Sequence, residues 1–163
     1  MGKLKLDGRL FLPRTVDNTF RGIAAAKYVF FAIAAITVVR SLLHILLPDG
    51  GAQSIATIPL ESYGLAAAGT VVYMFGTWGL TQLIMGAVYW VVALRYKSLI
   101  PLMYACVAAE YAGRIAIGHT HPVALIGTAP GEIANYVLLP LAGVMMLLSL
   151  IYRERRSPES RMR

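Results

Sequence analysis

The chain has 163 residues, of which 58% are hydrophobic and only 14% are charged, and its mean hydropathy is +0.65. A soluble domain carries about a quarter charged residues, so this composition excludes that class and predicts a single-domain integral membrane protein. The formal net charge of +7 does not predict nucleic-acid binding, because the basic residues are distributed as expected for contact with a bilayer and its anionic lipids. The single cysteine, Cys106, excludes an intramolecular disulfide.

Residues 1–21 combine basic residues with apolar ones such as Leu6 and Phe11, a pattern that predicts a basic segment lying on the inner leaflet. The first apolar run covers residues 22–47. It is longer than the core of a signal peptide, so we expect it to remain in the mature protein as a membrane helix.

Three further apolar runs, residues 65–94, 98–118 and 132–152, each approach or exceed the roughly 20 residues that a membrane-spanning helix needs. The second and third spans are separated by a very short turn, which predicts a tight antiparallel hairpin. Residues 22–152 are therefore expected to form one transmembrane domain, followed by a basic cytoplasmic tail at 153–163. The predicted fold class is all-α, a polytopic four-transmembrane-helix bundle.

The charges predict the orientation of this bundle. If both termini are cytoplasmic, every Lys and Arg except Arg40 and Arg114 falls at or near the cytoplasmic side. The opposite side then carries only acidic charges, namely Asp49, Glu61 and Glu132. Positive residues accumulate on the cytoplasmic side of membrane proteins, so we expect both termini to lie on the cytoplasmic side.

Four ionisable residues lie inside the predicted spans: Arg40 and His44 in the first, and Glu110 and Arg114 in the third. Each pair is spaced i, i+4, so each pair shares one helical face. An ionisable group within a bilayer costs at least a few kcal/mol unless it is paired or faces water. The first and third spans run in the same direction, which places all four residues in the outer half.

The predicted cluster has more positive than negative charge, because Arg40 and Arg114 face a single carboxylate, Glu110. Arginine cannot lose its proton, so a counter-charge has to come from Glu61 or Glu132 in the outer loops, from sharing of Glu110, or from a ligand. A lipid headgroup, a carboxylate or a quinone oxygen would serve. Alternatively, the charges only clamp the first helix to the third, and the arginines reach toward the headgroups.

Other candidate sites carry weaker signals. His119 and His121, with Glu132, are candidate metal ligands, but their spacing matches no strong signature. No catalytic motif is recognisable, so enzymatic activity is not predicted. Small residues recur at four-residue spacing on the third span, which predicts close helix packing in the bundle or a homodimer face. These small residues are Ala105, Ala109 and Gly113 on one stripe, and Ala108, Ala112 and Ala116 on another.

Residues 60–152 resemble bacterial four-helix membrane proteins that are distantly similar to the DoxX-type family. The resemblance consists of a glycine-rich second span, a third span ending in Gly-Arg-x-x-x-Gly, a short loop with a proline, and a Glu that opens the fourth span. Here the family's acidic Asp-Gly after the third span is replaced by His119-Thr120-His121. The resemblance implies quinone-coupled redox chemistry. The residues that carry the resemblance are Gly79, Gly86, Gly113, Arg114, Gly118, Pro122 and Glu132.

Three functions are compatible with these features. The first is a small membrane protein that binds a lipid or a small anionic or carbonyl ligand in an outer-half pocket, or that serves as an accessory subunit of a membrane complex. The second is a quinone-coupled redox enzyme or subunit, with Glu110 and His44 as proton carriers. The third is a small proton-coupled transporter with Glu110 as the coupling site, although an ion pair with Arg114 would oppose that role.

Overall fold

The computed structural model describes residues 4–153 and consists mainly of four long helices. Each of them is long and apolar enough to cross a membrane, which confirms the predicted number of candidate spans. Residues 1–3, and the predicted tail from residue 154 onward, lie outside the described part of the chain. The helices are α1 (Ala24–Leu46), α2 (Leu65–Arg95), α3 (Ile100–Thr120) and α4 (Pro130–Leu150).

The fold also contains a small antiparallel sheet that the sequence did not predict. Strand β1 (Leu4–Leu6) pairs with strand β2 (Ile151–Arg153), with Leu6 opposite Ile151. The fourth helix therefore ends at Leu150, before the expected end of the span. The backbone N–H of Asp7 also donates to the carbonyl of Leu150 at 3.0 Å. The N-terminal segment is thus bound to the end of α4.

Prolines account for several helix boundaries. Helix α1 ends at Leu46 because Leu47 precedes Pro48 and adopts an extended conformation (φ −69°, ψ 141°). Helices α3 and α4 both have a proline in their first turn, where no helical N–H is required. Pro140 lies inside α4, so the carbonyl of Tyr136 lacks its usual helical donor.

The helices pack mainly as two pairs, α1 with α2 and α3 with α4, and α1 also contacts α4. Two glycines of α2 allow the close approach of α1. A Cβ at Gly79 would lie 2.8 Å from the Cβ of His44, and one at Gly86 would lie 3.0 Å from Val38 Cγ2. Helices α2 and α3 contact each other little despite their short connection, so the predicted tight hairpin is wrong. Packing on α1 and α4 determines the arrangement instead.

The two ends of the bundle differ. We call the end with β1, β2 and the 96–99 turn the base, and the end with loops 47–64 and 121–129 the loop end. The base half contains an aromatic core in which Phe30 of α1 lies edge-on to Tyr89 and to Tyr104, with ring centroids 5.6 Å apart in both pairs. The hydroxyl of Tyr104 donates to the carbonyl of Ala26 at 2.5 Å. This core joins α1, α2 and α3.

The segment before α1 binds to the other elements of the base. The Ser98 hydroxyl donates to the carbonyl of Asp17 at 3.0 Å, and the Ser98 backbone N–H donates to the same carbonyl at 3.2 Å. At Gly22 a Cβ would overlap the backbone of Ser149, so only glycine permits this approach to α4. The segment that was predicted to lie on the inner leaflet therefore contacts the α2–α3 turn and α4.

Loop 47–64 is ordered by one carboxylate. Asp49 accepts hydrogen bonds from the backbone N–H groups of Gly51, Gln53 and Ser54 at 2.6–3.1 Å. Burial raises the pKa of Asp49, but these bonds outweigh it and the net pKa lies below the ordinary value. Gly50 and Gly51 adopt positive φ values of 61° and 74°. The loop can therefore fold back against α1 and α2.

Candidate functional site

Three helices contribute side chains to one polar cluster in the loop half. We define this polar cluster as Arg40 of α1, Gln82 of α2, and Glu110 and Arg114 of α3. Arg40 and Arg114 each lie six residues before the end of their helix, which is about 9 Å at the rise of an α-helix. Glu110 lies at the middle of α3. The structure thus brings together three of the four ionisable residues found within the predicted spans.

Hydrogen bonds connect the polar cluster in an unbroken chain. Arg40 Nη2 donates to Gln82 Oε1 at 3.0 Å, and Gln82 Nε2 donates to Glu110 Oε1 at 2.8 Å. The same oxygen accepts from Arg114 Nε at 3.0 Å and also from Arg114 Nη2. Arg40 Nη2 lies 4.0 Å from Glu110 Oε1. Gln82 therefore bridges Arg40 to a carboxylate that Arg114 already occupies.

The polar cluster carries more positive charge than its one carboxylate can neutralise. Arg40 Nε is buried and has no hydrogen-bond partner among residues 4–153. Each guanidinium has five N–H donors, and the hydrogen bonds described above use one donor of Arg40 and two of Arg114. The side chains of Arg40, Glu110 and Arg114 are 23%, 24% and 19% exposed, so the cluster is accessible at its edge.

Aromatic rings surround the two guanidinium groups. The Cζ atoms of Arg40 and Arg114 lie 5.3 Å and 4.5 Å from the ring centroid of Trp78. Tyr111 also lies beside Arg114, at 5.4 Å. Cation–π contacts of this kind stabilise a guanidinium without neutralising it, so they hold the arginines in place and add no counter-charge to that of Glu110.

His44 occupies a different position from the one its spacing to Arg40 suggested. Its Nδ1 lies 2.8 Å from the carbonyl oxygen of Gly50, so this nitrogen carries the proton and donates it to loop 47–64. The imidazole lies 4.7 Å from Trp78 and 5.5 Å from Phe75. Among residues 4–153, His44 is linked to the polar cluster through the Trp78 ring, and its hydrogen bond to Gly50 holds loop 47–64 in place.

The two loop carboxylates that were expected as counter-charges lie elsewhere. Glu61 accepts a hydrogen bond from Gln53 Nε2 at 2.9 Å and is exposed. Glu132 is exposed in the first turn of α4. Among residues 4–153 neither forms an ion pair with Arg40 or Arg114. A further counter-charge for the cluster therefore does not come from these residues in this structure.

The two candidate metal-binding histidines also lie apart from the polar cluster. His119 Nε2 is 3.5 Å from the hydroxyl of Tyr136, and His121 Nδ1 is 2.9 Å from the hydroxyl of Thr120. Within the described ranges no group of three His, Cys, Asp or Glu side chains could hold a metal ion. Glu132 does not complete such a group with them.

Gln82 is the residue that the sequence reasoning missed. It is four residues after Trp78, three after Gly79 and four before Gly86, so all four share one face of α2. A glutamine in an apolar span next to the glycines that admit a neighbouring helix is a signal that could have identified it. A glutamine carries no charge, so a criterion based on charge alone does not identify it.

Comparison of the chain with protein-family models, curated proteins and solved structures gives no match. The resemblance to the DoxX-type family therefore stays a prediction from the glycine pattern.

Proposed function

We propose that the protein is an integral membrane protein of a bacterial cytoplasmic membrane, with the base on the cytoplasmic side. Four helices of sufficient length and apolarity support the insertion. The basic residues of the base support the orientation, because Arg95 and Lys97 lie there whereas the loop end carries acidic residues such as Asp49 and Glu61. The base would then contact anionic lipids of the inner leaflet. Its bacterial origin rests on the family resemblance alone.

Within this membrane protein we propose that the polar cluster binds a ligand through an anionic or carbonyl oxygen. The observation that carries the proposal is Arg40, whose buried Nε has no hydrogen-bond partner among residues 4–153 and which shares its one carboxylate, Glu110, with Arg114. A charge left unpaired in a bilayer is costly, and arginine cannot become neutral. A ligand oxygen would complete both the charge and the hydrogen bonds of the site.

The test compares ligand retention in single variants by native mass spectrometry after purification in a mild nonionic detergent. We expect the wild type to retain an oxyanion-bearing or carbonyl-bearing molecule. Arg40→Gln should lower its occupancy about 10-fold or more, since a hydrogen bond to a charged group contributes about 1.5–3 kcal/mol. The fold should persist because Arg114 and Glu110 remain paired.

Arg95→Gln is the matched control, because it removes an exposed arginine at the base. It should leave ligand occupancy unchanged. If the wild type retains no such molecule, or if both variants retain it equally, the polar cluster is only a clamp between helices and the proposal fails.

A quinone is the more specific alternative. Its carbonyl oxygens accept hydrogen bonds from guanidinium N–H groups, and Trp78 offers an aromatic ring for stacking. A quinone band in the absorption spectrum of the purified protein would support it, and loss of the band in Arg40→Gln would assign it to the polar cluster. The role of accessory subunit also remains a proposal, tested by co-purifying proteins. The transporter is less well supported, because Gln82 and Arg114 hold Glu110 through several hydrogen bonds.

A further inference from the structure

The polar cluster lies on helix faces that remain exposed on both sides of it, toward the loop end and toward the base. On α2, Met74 precedes Trp78 by one turn and is 62% exposed, although it shares the Trp78 face. On α3, Cys106 precedes Glu110 by one turn and Ile117 follows Arg114 by three residues, and both are exposed. The faces that carry the cluster are therefore not covered by another helix of this chain along their whole length.

Helices α2 and α3, which carry these faces, contact each other little outside the polar cluster. Gly113 lies on the same face of α3 as Glu110 and Ile117, and a Cβ at this position would meet no atom within 4 Å. Toward the base, the next positions on the faces that carry the cluster are Met85 of α2 and Cys106 of α3, and both are exposed. Acyl chains are the expected neighbours of these apolar side chains.

The loop end, in contrast, is covered. The carbonyl of Gly50 is bound by His44, and Ala52 of the same loop is fully buried. The two loops are joined at Thr57, whose hydroxyl donates to the carbonyl of Gly127 at 3.0 Å and whose carbonyl accepts from the N–H of Ile126 at 3.0 Å. Loop 47–64 thus packs against His44 and Phe75, on the loop-end side of the polar cluster, whereas the cluster itself remains partly exposed.

We propose that the polar cluster takes the head of a membrane lipid with a monoanionic oxyanion, which enters from the bilayer between α2 and α3. This inference rests on the proposed function and names its ligand class. Arg40 and Arg114 against Glu110 leave one positive charge, which a monoanionic phosphodiester or carboxylate head neutralises and a zwitterionic head does not. The head lies about 9 Å from the loop-end termini of α1 and α3, toward the base. At that depth it loses part of its hydration, and guanidinium N–H groups replace the lost water. The acyl chains then extend from the head toward the base, along Met85 and Cys106.

The experiment uses Trp78 as a reporter. The chain has two tryptophans, and Trp90 packs on Phe31 away from the polar cluster, so Trp90→Phe leaves Trp78 as the only tryptophan. The full-length protein is reconstituted in neutral phosphatidylcholine vesicles. Brominated phosphatidylglycerol or brominated phosphatidylcholine, with bromine on the acyl chains close to the head, is then added at equal mole fractions. Bromine quenches a tryptophan with which it is in contact.

We expect phosphatidylglycerol to bind at Trp78 about fivefold better than phosphatidylcholine, the factor that one basic residue provides at an anionic membrane surface. Gly113→Phe, which adds a ring beside Glu110 and Arg114 at a position where a Cβ meets no atom within 4 Å, should reduce this ratio to about one. Gly143→Phe is the matched control on α4, because a Cβ there also meets no atom within 4 Å, and it should keep the ratio. Circular dichroism of both variants verifies that the helices are intact.

Equal quenching by the two lipids, or an unchanged ratio in Gly113→Phe, would overturn the inference. The water-soluble phosphodiester dimethyl phosphate separates this failure from that of the proposed function. If dimethyl phosphate shifts the emission of Trp78 in an Arg40-dependent manner while no lipid preference exists, the cluster binds a soluble anion and only the lipid inference fails. If no ligand depends on Arg40, both fail.

Discussion

The base half and the loop half of the bundle are held together by different forces. In the base half, Phe30, Tyr89 and Tyr104 interlock with almost no exposed surface, and the segment before α1 fastens the helices from below. In the loop half, long stretches of the helices are exposed, and the polar cluster joins α3 to α1 and α2. One half is closed by shape complementarity, and the other by a few hydrogen bonds and charges.

The difference indicates how the two halves divide their roles. Close packing fixes a single arrangement and leaves no room for another molecule. A hydrogen-bonded network with excess charge leaves donors available, and its exposed edge gives access to them. We therefore expect changes in the base half to affect stability and changes in the loop half to affect ligand binding.

The largest effect is expected in the base half, from Phe30→Ala. The substitution leaves a cavity beside Tyr89 and Tyr104, and we expect it to lower the free energy of unfolding by about 3–5 kcal/mol. Reversible unfolding in mixed micelles measures the loss. Ligand occupancy of the folded fraction should stay at the wild-type level. A loss of ligand from well-folded Phe30→Ala protein would contradict the division between the two halves.

A smaller effect on stability is expected from Gln82→Leu. Without the amide, Arg40 loses its bridge to Glu110, and we expect a cost of about 1–3 kcal/mol together with weaker ligand binding. The same unfolding assay and native mass spectrometry measure both effects. Thr81→Leu is the control, because the neighbouring Thr81 is exposed and its hydroxyl bonds only to the carbonyl of Thr77. Equal behaviour of the two variants would remove Gln82 from the site.

The smallest effect is expected from acidification. The folded-state pKa of Asp49 lies below its ordinary value. The stability that this carboxylate gives to loop 47–64 is therefore fully present above the ordinary pKa and is lost as the pH falls through the folded-state pKa. Below about pH 4, the ordinary carboxyl range, the N–H groups of Gly51, Gln53 and Ser54 should therefore exchange faster. Hydrogen–deuterium exchange, corrected for the intrinsic rate at each pH, measures this.

The base provides an internal control in the same experiment. The pKa of Asp17 is lowered by its hydrogen bond to Arg21, but this pair is exposed, so acidification should leave the exchange of the α1 core amides unchanged. In the Asp49→Asn variant, the backbone amides of Gly51, Gln53 and Ser54 should already exchange rapidly at neutral pH. Protection of the Gly51–Ser54 amides that persists at low pH would show that the loop does not depend on the carboxylate.

Much of the fold could be predicted because apolar length and proline positions act locally. The four candidate spans were identified from the sequence, and Pro48 and Pro130 lie where helices end and begin. The end of α4 was misplaced because Ile151 pairs with Leu6, a partner far away in the sequence. The expected α2–α3 hairpin was wrong because a short turn constrains only the connection, whereas Gly79 and Gly86 direct α2 against α1.

The sequence by itself determined which charges lie within the apolar spans and that Arg40 and Arg114 outnumber Glu110. Spacing on a helix is a local property, so it also placed Glu110 beside Arg114. Only the tertiary structure decided that Gln82 connects Arg40 to that pair, that His44 binds loop 47–64, and that Glu61 lies elsewhere. Contacts between helices depend on how the helices pack, and that packing is set by many small contacts along their whole length.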